Sequence, residues 1–295
     1  SNFKEKILNK MIIIIILSLI LILLLVIIKF YDKIRSYFSK NAVIVLTKGY
    51  DNVKDYKLLI KRNKHLEKYF NKHLSYLIFH EGNISIEHQN YIQKQTPKLK
   101  FKFINVSADF KKKDAPYYPP TRVHAAHLGQ GYRNMCSFWF VSFWKYVKNY
   151  NKILRVDEDC DMLSDYNKIF PLLDKFICVC GKWEPDQNYV TQGLNKFTSN
   201  FFKSYNIDIH KKSASGPYTN VIGFNLDRLR ENTILFKFID ALKKSNNIYI
   251  YRWGDLPVWG EVLHYMYPKN KYLIWDKITY HHGSHYLTVN KQNLN

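Results

Sequence analysis

The chain has 295 residues, 46% of them hydrophobic, enough apolar material for one large domain or two small ones. It carries 45 Lys and Arg against 24 Asp and Glu, but only 8 of the basic residues are Arg, and the lysines are dispersed, as at Lys48, Lys54, Lys57, Lys61, Lys64, Lys68 and Lys72. That spacing describes solvated helix faces and lacks the clustered patch that nucleic acid needs, so no nucleic-acid partner is expected; a basic surface near a membrane, or a polyanionic small ligand, accounts for the charge.

Residues 1–10 form a short tail with Lys4, Lys6 and Lys10. Residues 11–28, MIIIIILSLILILLLVII, hold a single polar residue, Ser18, and as a helix span about 27 Å, near the hydrocarbon thickness of a bilayer. No small-residue cleavage site follows, so the segment reads as a retained transmembrane anchor in the lipid bilayer. Residues 29–40 form a polar stem and 41–290 the main domain. Lys29, Lys33, Arg35 and Lys40 balance the basic tail, so the positive-inside rule does not decide the orientation. The short tail favours a type II arrangement, with the main domain outside the cytosol. Two sequons, Asn83-Ile-Ser85 and Asn105-Val-Ser107, are compatible with that side.

Within 41–290, strand and helix patterns alternate. AVIVL (42–46) is a strand; Tyr56, Leu59, Ile60, Leu66 and Phe70 recur at helical spacing; SYLIFH (75–80) is a second strand. KLKFKFINV alternates as a half-buried strand, and NMCSFWFVSFWKYV (134–147) is a buried aromatic helix. KILRV, FICVC and YTNVIGFNL (218–226) are further strands, with Asp227 able to cap the helix that follows. Cys178 and Cys180 alternate in FICVC and read as thiols packed on one face; with Cys136 and Cys160 they are too few and too irregular for a disulfide scaffold or a zinc site. The alternation predicts an α/β fold with a largely parallel sheet, whose ligands bind outside the carboxyl ends of the strands.

KILRVDEDCDM (152–162) places four acids at such an end. Period-two geometry sends Asp157, Asp159 and Asp161 to one side and Glu158 to the other. Carboxylates at one-residue spacing grip a hard divalent cation, and a diphosphate completes its shell. This is the pattern expected of a glycosyltransferase that uses a nucleotide sugar; the alternative is an acidic surface turn. A literal Glu-Pro-Asp at 184–186 ranks below this cluster. His282, in HHGSH, can complete a carboxylate site as an imidazole ligand. Arg252-Trp253-Gly254-Asp255 mixes the charge and aromatic surface that sugars require, although Asp255 as N-cap and Pro257 in a first turn explain it equally. Arg155 inside a strand demands a partner, protein or ligand.

GYRNMCSFWFVSFWKYVKNYNKILRVDEDCDM (131–162), YRWGDLPV (251–258), KNKYLIWDKITYHH (269–282) and NAVIVLTKG with HLEKYFNKHLSYLIFHEGN together resemble the fungal α-1,2-mannosyltransferases, glycosyltransferase family 15. The similarity runs in order from about 41 to 285. It implies a GT-A-type fold, a mixed, mainly parallel sheet flanked by helices, behind one N-terminal transmembrane helix, with the catalytic domain in the Golgi or ER lumen. It implies transfer of mannose from GDP-mannose to a mannose hydroxyl of a glycan or glycoprotein, with retention, using Mn²⁺ or Mg²⁺. By motif match, the resemblance assigns Asp157, Asp159 and His282 to the metal. It assigns Tyr132, Arg133, Arg155, Arg252 and Trp253 to donor and acceptor, and Asp157, Asp255 and Asn225 to catalysis.

Two departures bear on the chemistry. Asp157-Glu158-Asp159 stands where the family has Glu-Pro-Asp, and Asn225 aligns with a Glu that is a candidate nucleophile. An amide cannot be that nucleophile, so either attack and departure share one face of the sugar or another acid substitutes. The competing readings are a transferase for another nucleotide sugar, an inactive glycan-binding scaffold, and a metal-dependent nuclease.

Overall fold

The computed structural model describes residues 2–38, 40–110, 128–208 and 214–294. They form two compact units, divided between Ser39 and Lys40. The first unit is one helix, α1, Asn2–Phe38, since no Gly or Pro interrupts the stretch. Its Lys10–Ile27 window has a mean hydropathy of 3.3, long and apolar enough to cross a membrane.

The second unit is an α/β domain. Among the described residues its main sheet has seven strands, in the spatial order β10-β6-β9-β4-β1-β2-β3. In chain order these are β1 (Asn41–Thr47), β2 (Leu74–His80), β3 (Phe101–Asn105) and β4 (Lys152–Val156). They continue as β6 (Cys178–Cys180), β9 (Val221–Asn225) and β10 (Tyr272–Ile274). Six strands run the same way and β9 runs against them. The expected mixed, mainly parallel sheet is borne out. Burial follows position: central β4 is buried throughout, while edge strand β3 exposes Lys102 and Asn105.

Two small sheets stand beside it. One joins β5 (Cys160–Met162), β11 (Tyr280–His282) and β12 (Leu287–Val289); the other pairs β7 (Trp183–Pro185) with β8 (Ser215–Pro217). Helices flank the main sheet: α2 (Lys57–Lys68), α3 (Ile86–Gln95), α4 (Gln130–Ser137), α5 (Ile169–Leu172) and α6 (Leu194–Lys203). After them come α7 (Leu226–Arg230), α8 (Thr233–Ser245), α9 (Asn247–Tyr251) and α10 (Asp255–Met266).

The aromatic run does not continue as one α-helix. After α4 it widens into a π-turn over Phe138–Ser142 and tightens into a 3-10 turn over Phe143–Lys145. Phe138, Trp139 and Phe140 are consecutive and all buried, which a single α-helical face cannot achieve. The free cysteines Cys136, Cys160, Cys178 and Cys180 are buried, as packed thiols should be.

The caps also differ from expectation. Asn225, not Asp227, caps α7, its side chain accepting from the Arg228 amide at 3.1 Å. Gly254 occupies the N-cap of α10 and Asp255 is its first residue.

Helix α10 lies backbone-to-backbone on β8. A Cβ built at Gly260 would stand 1.7 Å from the Ser215 carbonyl oxygen, and one at Gly216 1.9 Å from that of Leu256. Gly260→Ala is therefore expected to destabilise the domain by about 3 kcal/mol, the upper end for overpacking, because backbone and not a side chain must yield. Urea denaturation of the full chain in detergent measures it, and an unchanged midpoint would contradict this contact.

Candidate functional site

The carboxyl ends of the parallel strands border a pocket of about 620 Å³. Its floor is the end of β4. Arg155 is buried there, its guanidinium 4.2 Å from the centre of the Trp139 ring. Nε and Nη2 donate to the two oxygens of Asp157 at 2.7 and 2.8 Å, and Nη1 donates to Asp255 Oδ2 at 2.5 Å. Burial disfavours the Arg155 charge, but the two carboxylates outweigh it and raise the guanidinium above its ordinary value. Behind it lies a second buried guanidinium, Arg62 of α2, which donates to the Val156 carbonyl at 2.9 Å; burial lowers its pKa to about 10. A basic chain can crowd acids here because two buried cations stand beneath them.

The four acids then separate. Asp157 and Asp159 line the pocket. Glu158 turns away and accepts from the Thr47 hydroxyl and, at 2.9 Å, from that of Tyr50. Asp161 does not join its expected partners: a turn closed by the Cys160 amide on the Asp157 carbonyl resets the alternation, and Asp161 pairs with Lys61 at 2.5 Å.

Pairing of β5 with β11 sets His282 opposite Cys160, which brings His282 Nε2 within 3.2 Å of Asp159 Oδ2. The Ser284 amide donates to the same oxygen at 3.2 Å. Burial would raise the Asp159 carboxyl, but the hydrogen bonds and charge of His282 and the bonds from Ser284 hold it well below the usual carboxylate range. The other ring nitrogen of His282 lies 2.8 Å from the Tyr218 hydroxyl, which is also 2.8 Å from His285 Nδ1. Asp159, Cys160 and His282 offer ligand atoms within 4.8 Å of one another. Asp159 and His282 face the pocket and supply the oxygen and imidazole donors that suit a divalent cation of the Mn²⁺ type. Cys160 is buried and does not line the pocket, and its soft sulfur suits a hard divalent cation poorly. Asp157, expected as a third ligand, stands outside this group with both oxygens held by Arg155.

The opposite wall is aromatic and charged. Arg252 stacks over the Tyr132 ring at 4.5 Å and reaches Asp186 Oδ2 at 3.2 Å. Its backbone is left-handed, φ 60°, a strained conformation for a non-glycine residue that recurs at functional sites. Glu184 and Asp186, the ends of the literal Glu-Pro-Asp, line this wall, although their sequence context ranks them below the strand-end acids. Asn220 lines the floor beside Asp157, whose amide donates to its carbonyl at 2.8 Å; among the described residues its buried Nδ2 has no partner, while its Oδ1 accepts from the Tyr280 hydroxyl at 2.7 Å.

Three expected residues lie elsewhere. Asn225 pairs with Lys152, at the opposite end of β4 from the pocket, and donates to the Leu173 carbonyl at 2.7 Å. The rule that ligands sit at carboxyl ends of strands misplaces it, because β9 is antiparallel and offers its amino end, Asn220, instead. Trp253 is a core residue whose Nε1 donates to the Gln192 carbonyl at 2.8 Å. Arg133 is fully buried, its Nε bonding the Leu128 carbonyl at 2.8 Å and its Nη1 that of Tyr249 at 2.6 Å. Tyr218, Asn220 and His285 are site residues that sequence reasoning does not single out, although the HHGSH segment holds a signal for the last.

No protein-family model matches the chain, and no curated protein sequence does. Solved structures do. The mannosyltransferase Ktr4p of S. cerevisiae, in complex with GDP, aligns at 19% identity over 83% of this chain and 71% of its own, with a TM-score of 0.68. Core-mannan synthase A of Aspergillus fumigatus, in a Mn/GDP form, aligns at 17% identity over 83% of this chain and 74% of its own, with a TM-score of 0.69. The fold is that of the fungal mannosyltransferases. The resemblance read from the motifs is therefore carried by the backbone as well.

Two outcomes test the floor. Arg155→Met leaves Asp157 and Asp255 buried without their cation and is expected to destabilise by about 3–5 kcal/mol, read from urea midpoints. The depressed Asp159 carboxyl contributes stability that is present above about pH 4 and lost as pH falls further. The midpoint gap between the native chain and Asp159→Asn should thus narrow between pH 5 and pH 2; a constant gap would count against the pairing.

Proposed function

We propose that this chain is a membrane-anchored, divalent-metal-dependent glycosyltransferase that moves mannose from GDP-mannose to a hydroxyl of a glycan acceptor, with retention. The observation that carries the reading is Asp159 and His282, 3.2 Å apart on the wall of a 620 Å³ pocket, in a fold shared with mannosyltransferases. Asp159 and His282 would hold the cation, and a bound cation offsets the charge that builds on the departing nucleoside diphosphate. Arg155 and Arg252 add fixed positive charge beside it. Tyr132 and Asp255 supply a ring face and a carboxylate of the kind that binds a sugar.

The pocket carboxylates favour one stereochemical route. Asp157 and Asp255 are paired with Arg155, Asp186 with Arg252 and Glu184 with Lys182. An ion-paired carboxylate is a weak nucleophile, and Asn225 lies at the far end of the sheet. Retention then proceeds on one face. The bond from the anomeric carbon to the β-phosphate oxygen breaks, the acceptor oxygen bonds to that carbon, and its proton passes to the departing phosphate. The hydropathy of α1 supports anchoring. Both sequon residues, Asn83 and Asn105, are exposed, which supports a lumenal, type II arrangement in the secretory pathway.

Calorimetry of the full chain in detergent tests the assignment. GDP-mannose is expected to bind in the presence of Mn²⁺, with UDP-glucose silent. Asp159→Ala and His282→Ala should remove the Mn²⁺ dependence, and Tyr218→Phe should weaken metal affinity about tenfold or more through loss of the hydrogen bond that orients His282. Metal-independent binding in the native chain would overturn the site. Mn²⁺-dependent binding with no mannose transfer to any mannoside would favour a glycan-binding scaffold.

A further inference from the structure

Asp159 borders two recesses. One is the pocket already described; the second, of about 410 Å³, shares Tyr132, Met135, Asp157, Asp159 and Ser284 with it. Leu46, Thr47 and Lys48 at the end of β1 line this second recess together with Asp157, Glu158 and Asp159 from the end of β4. Strands β1 and β4 are parallel neighbours, yet the chain leaves β1 for β2 and β3 on one side and returns as β4 on the other. The crevice outside the carboxyl ends of such a pair is where α/β sheets take nucleotides.

Glu158 is the acid of the cluster that the fold leaves without a cation. Asp157 pairs with Arg155, Asp159 with His282 and Asp161 with Lys61. Among the described residues Glu158 meets two neutral hydroxyls, those of Thr47 and Tyr50, one on each carboxylate oxygen. Lys48, on the same recess, lies over the Tyr50 ring at 5.0 Å. A carboxylate offers about four acceptor positions, so the two hydroxyls fix its orientation and leave about two positions free. Those positions call for hydroxyl or amine donors and repel phosphate.

We propose that Glu158 binds the ribose of the donor nucleotide, accepting from its 2′- and 3′-hydroxyls. The inference deepens the donor reading above and rests on it. Asp159 meets the diphosphate through its cation, and the ribose is the next group along the nucleotide. Glu158 is the adjoining residue of the chain, its Cα about 3.8 Å from that of Asp159, and its side chain turns into the second recess. A vicinal diol supplies two donors to one carboxylate, and acidic side chains hold ribose in this way in dinucleotide sites. The same polarity sets the direction of the nucleotide. Diphosphate oxygens, which a carboxylate repels, stay at the cation; the nucleoside enters the second recess, and the sugar to be transferred lies in the first, beside Tyr132 and Asp255. The family resemblance does not supply this contact, because Pro stands there at the position of Glu158 and carries no acceptor.

The experiment measures binding of GDP and of 2′,3′-dideoxy-GDP to the full chain in detergent with Mn²⁺. The two nucleotides share guanine and diphosphate and differ only in the diol. The native chain is expected to bind GDP about tenfold or more tightly than the dideoxy nucleotide, the loss that follows when bonds to a charged acceptor are removed. Glu158→Ala should bring the two affinities within about twofold of each other, by weakening GDP and leaving the dideoxy nucleotide near its native value. Glu158→Gln, which keeps the shape and one acceptor oxygen, should fall between, and it carries the test if the alanine variant does not fold. A preference for GDP that is absent in the native chain, or unchanged in both variants, would overturn the ribose contact while sparing the donor reading. So would an equal fall in both affinities, which would make Glu158 a prop for Thr47 and Tyr50. Failure of the folded native chain to bind GDP with Mn²⁺ would overturn the donor reading and this inference with it.

Discussion

The pocket is organised around one buried cation. Arg155 reaches its position because central strand β4 is covered on both faces, so its penultimate side chain has no route to solvent. A guanidinium in that position must be compensated, and three groups do so: the Trp139 ring, the carboxylate two residues on, and the first residue of α10. Each of those groups belongs to a different element. One charge therefore fixes the aromatic run, the strand-end turn and the α10 terminus in mutual register. Asp159 and His282 are downstream of that constraint, since the turn from Asp157 to Cys160 decides where β5 begins and hence what β11 can pair with.

The parts of the fold that depend on local pattern are legible in the sequence. Apolar runs bounded by polar turns mark β1, β2 and β4 closely, because strands buried on both faces must be nearly continuous in Val, Ile and Leu. The acid cluster is legible for the same reason: hydrophobicity stops where the strand does. What escapes are features that depend on the direction of pairing. Nothing in VIGFN distinguishes a parallel strand from an antiparallel one, so a motif match carries Asn225 to the pocket and passes over Asn220. Trp253 and Arg133 look like ligand-binding groups because side chains of that type serve both purposes. Only the fold reveals that backbone carbonyls already satisfy them.

The same limit explains Glu184 and Asp186. In sequence they form an isolated acidic turn after a glycine. In space the antiparallel β7–β8 pair, pressed onto α10 through two glycines, carries them to the wall they share with Tyr132 and Arg252. Site residues that arrive through backbone-to-backbone packing leave no periodic trace, because the positions that permit the approach are glycines and not the functional groups themselves.

The π-turn after α4 acts as a phase shifter. An α-helix advances about 100° per residue, and the wider turn at Phe138–Ser142 inserts an angular offset between the two halves of the aromatic run. Upstream, Tyr132 and Met135 face the pocket; downstream, Phe140 and Phe143 face the core, with Trp139 at the junction beneath Arg155. A one-residue deletion there would restore regular winding without altering a single chemical group of the pocket. It would also turn one half of the run against the other, setting the ring that carries Arg155 in conflict with the ring that carries Arg252. The tolerance of this segment to length is accordingly far smaller than its tolerance to substitution by another large apolar side chain.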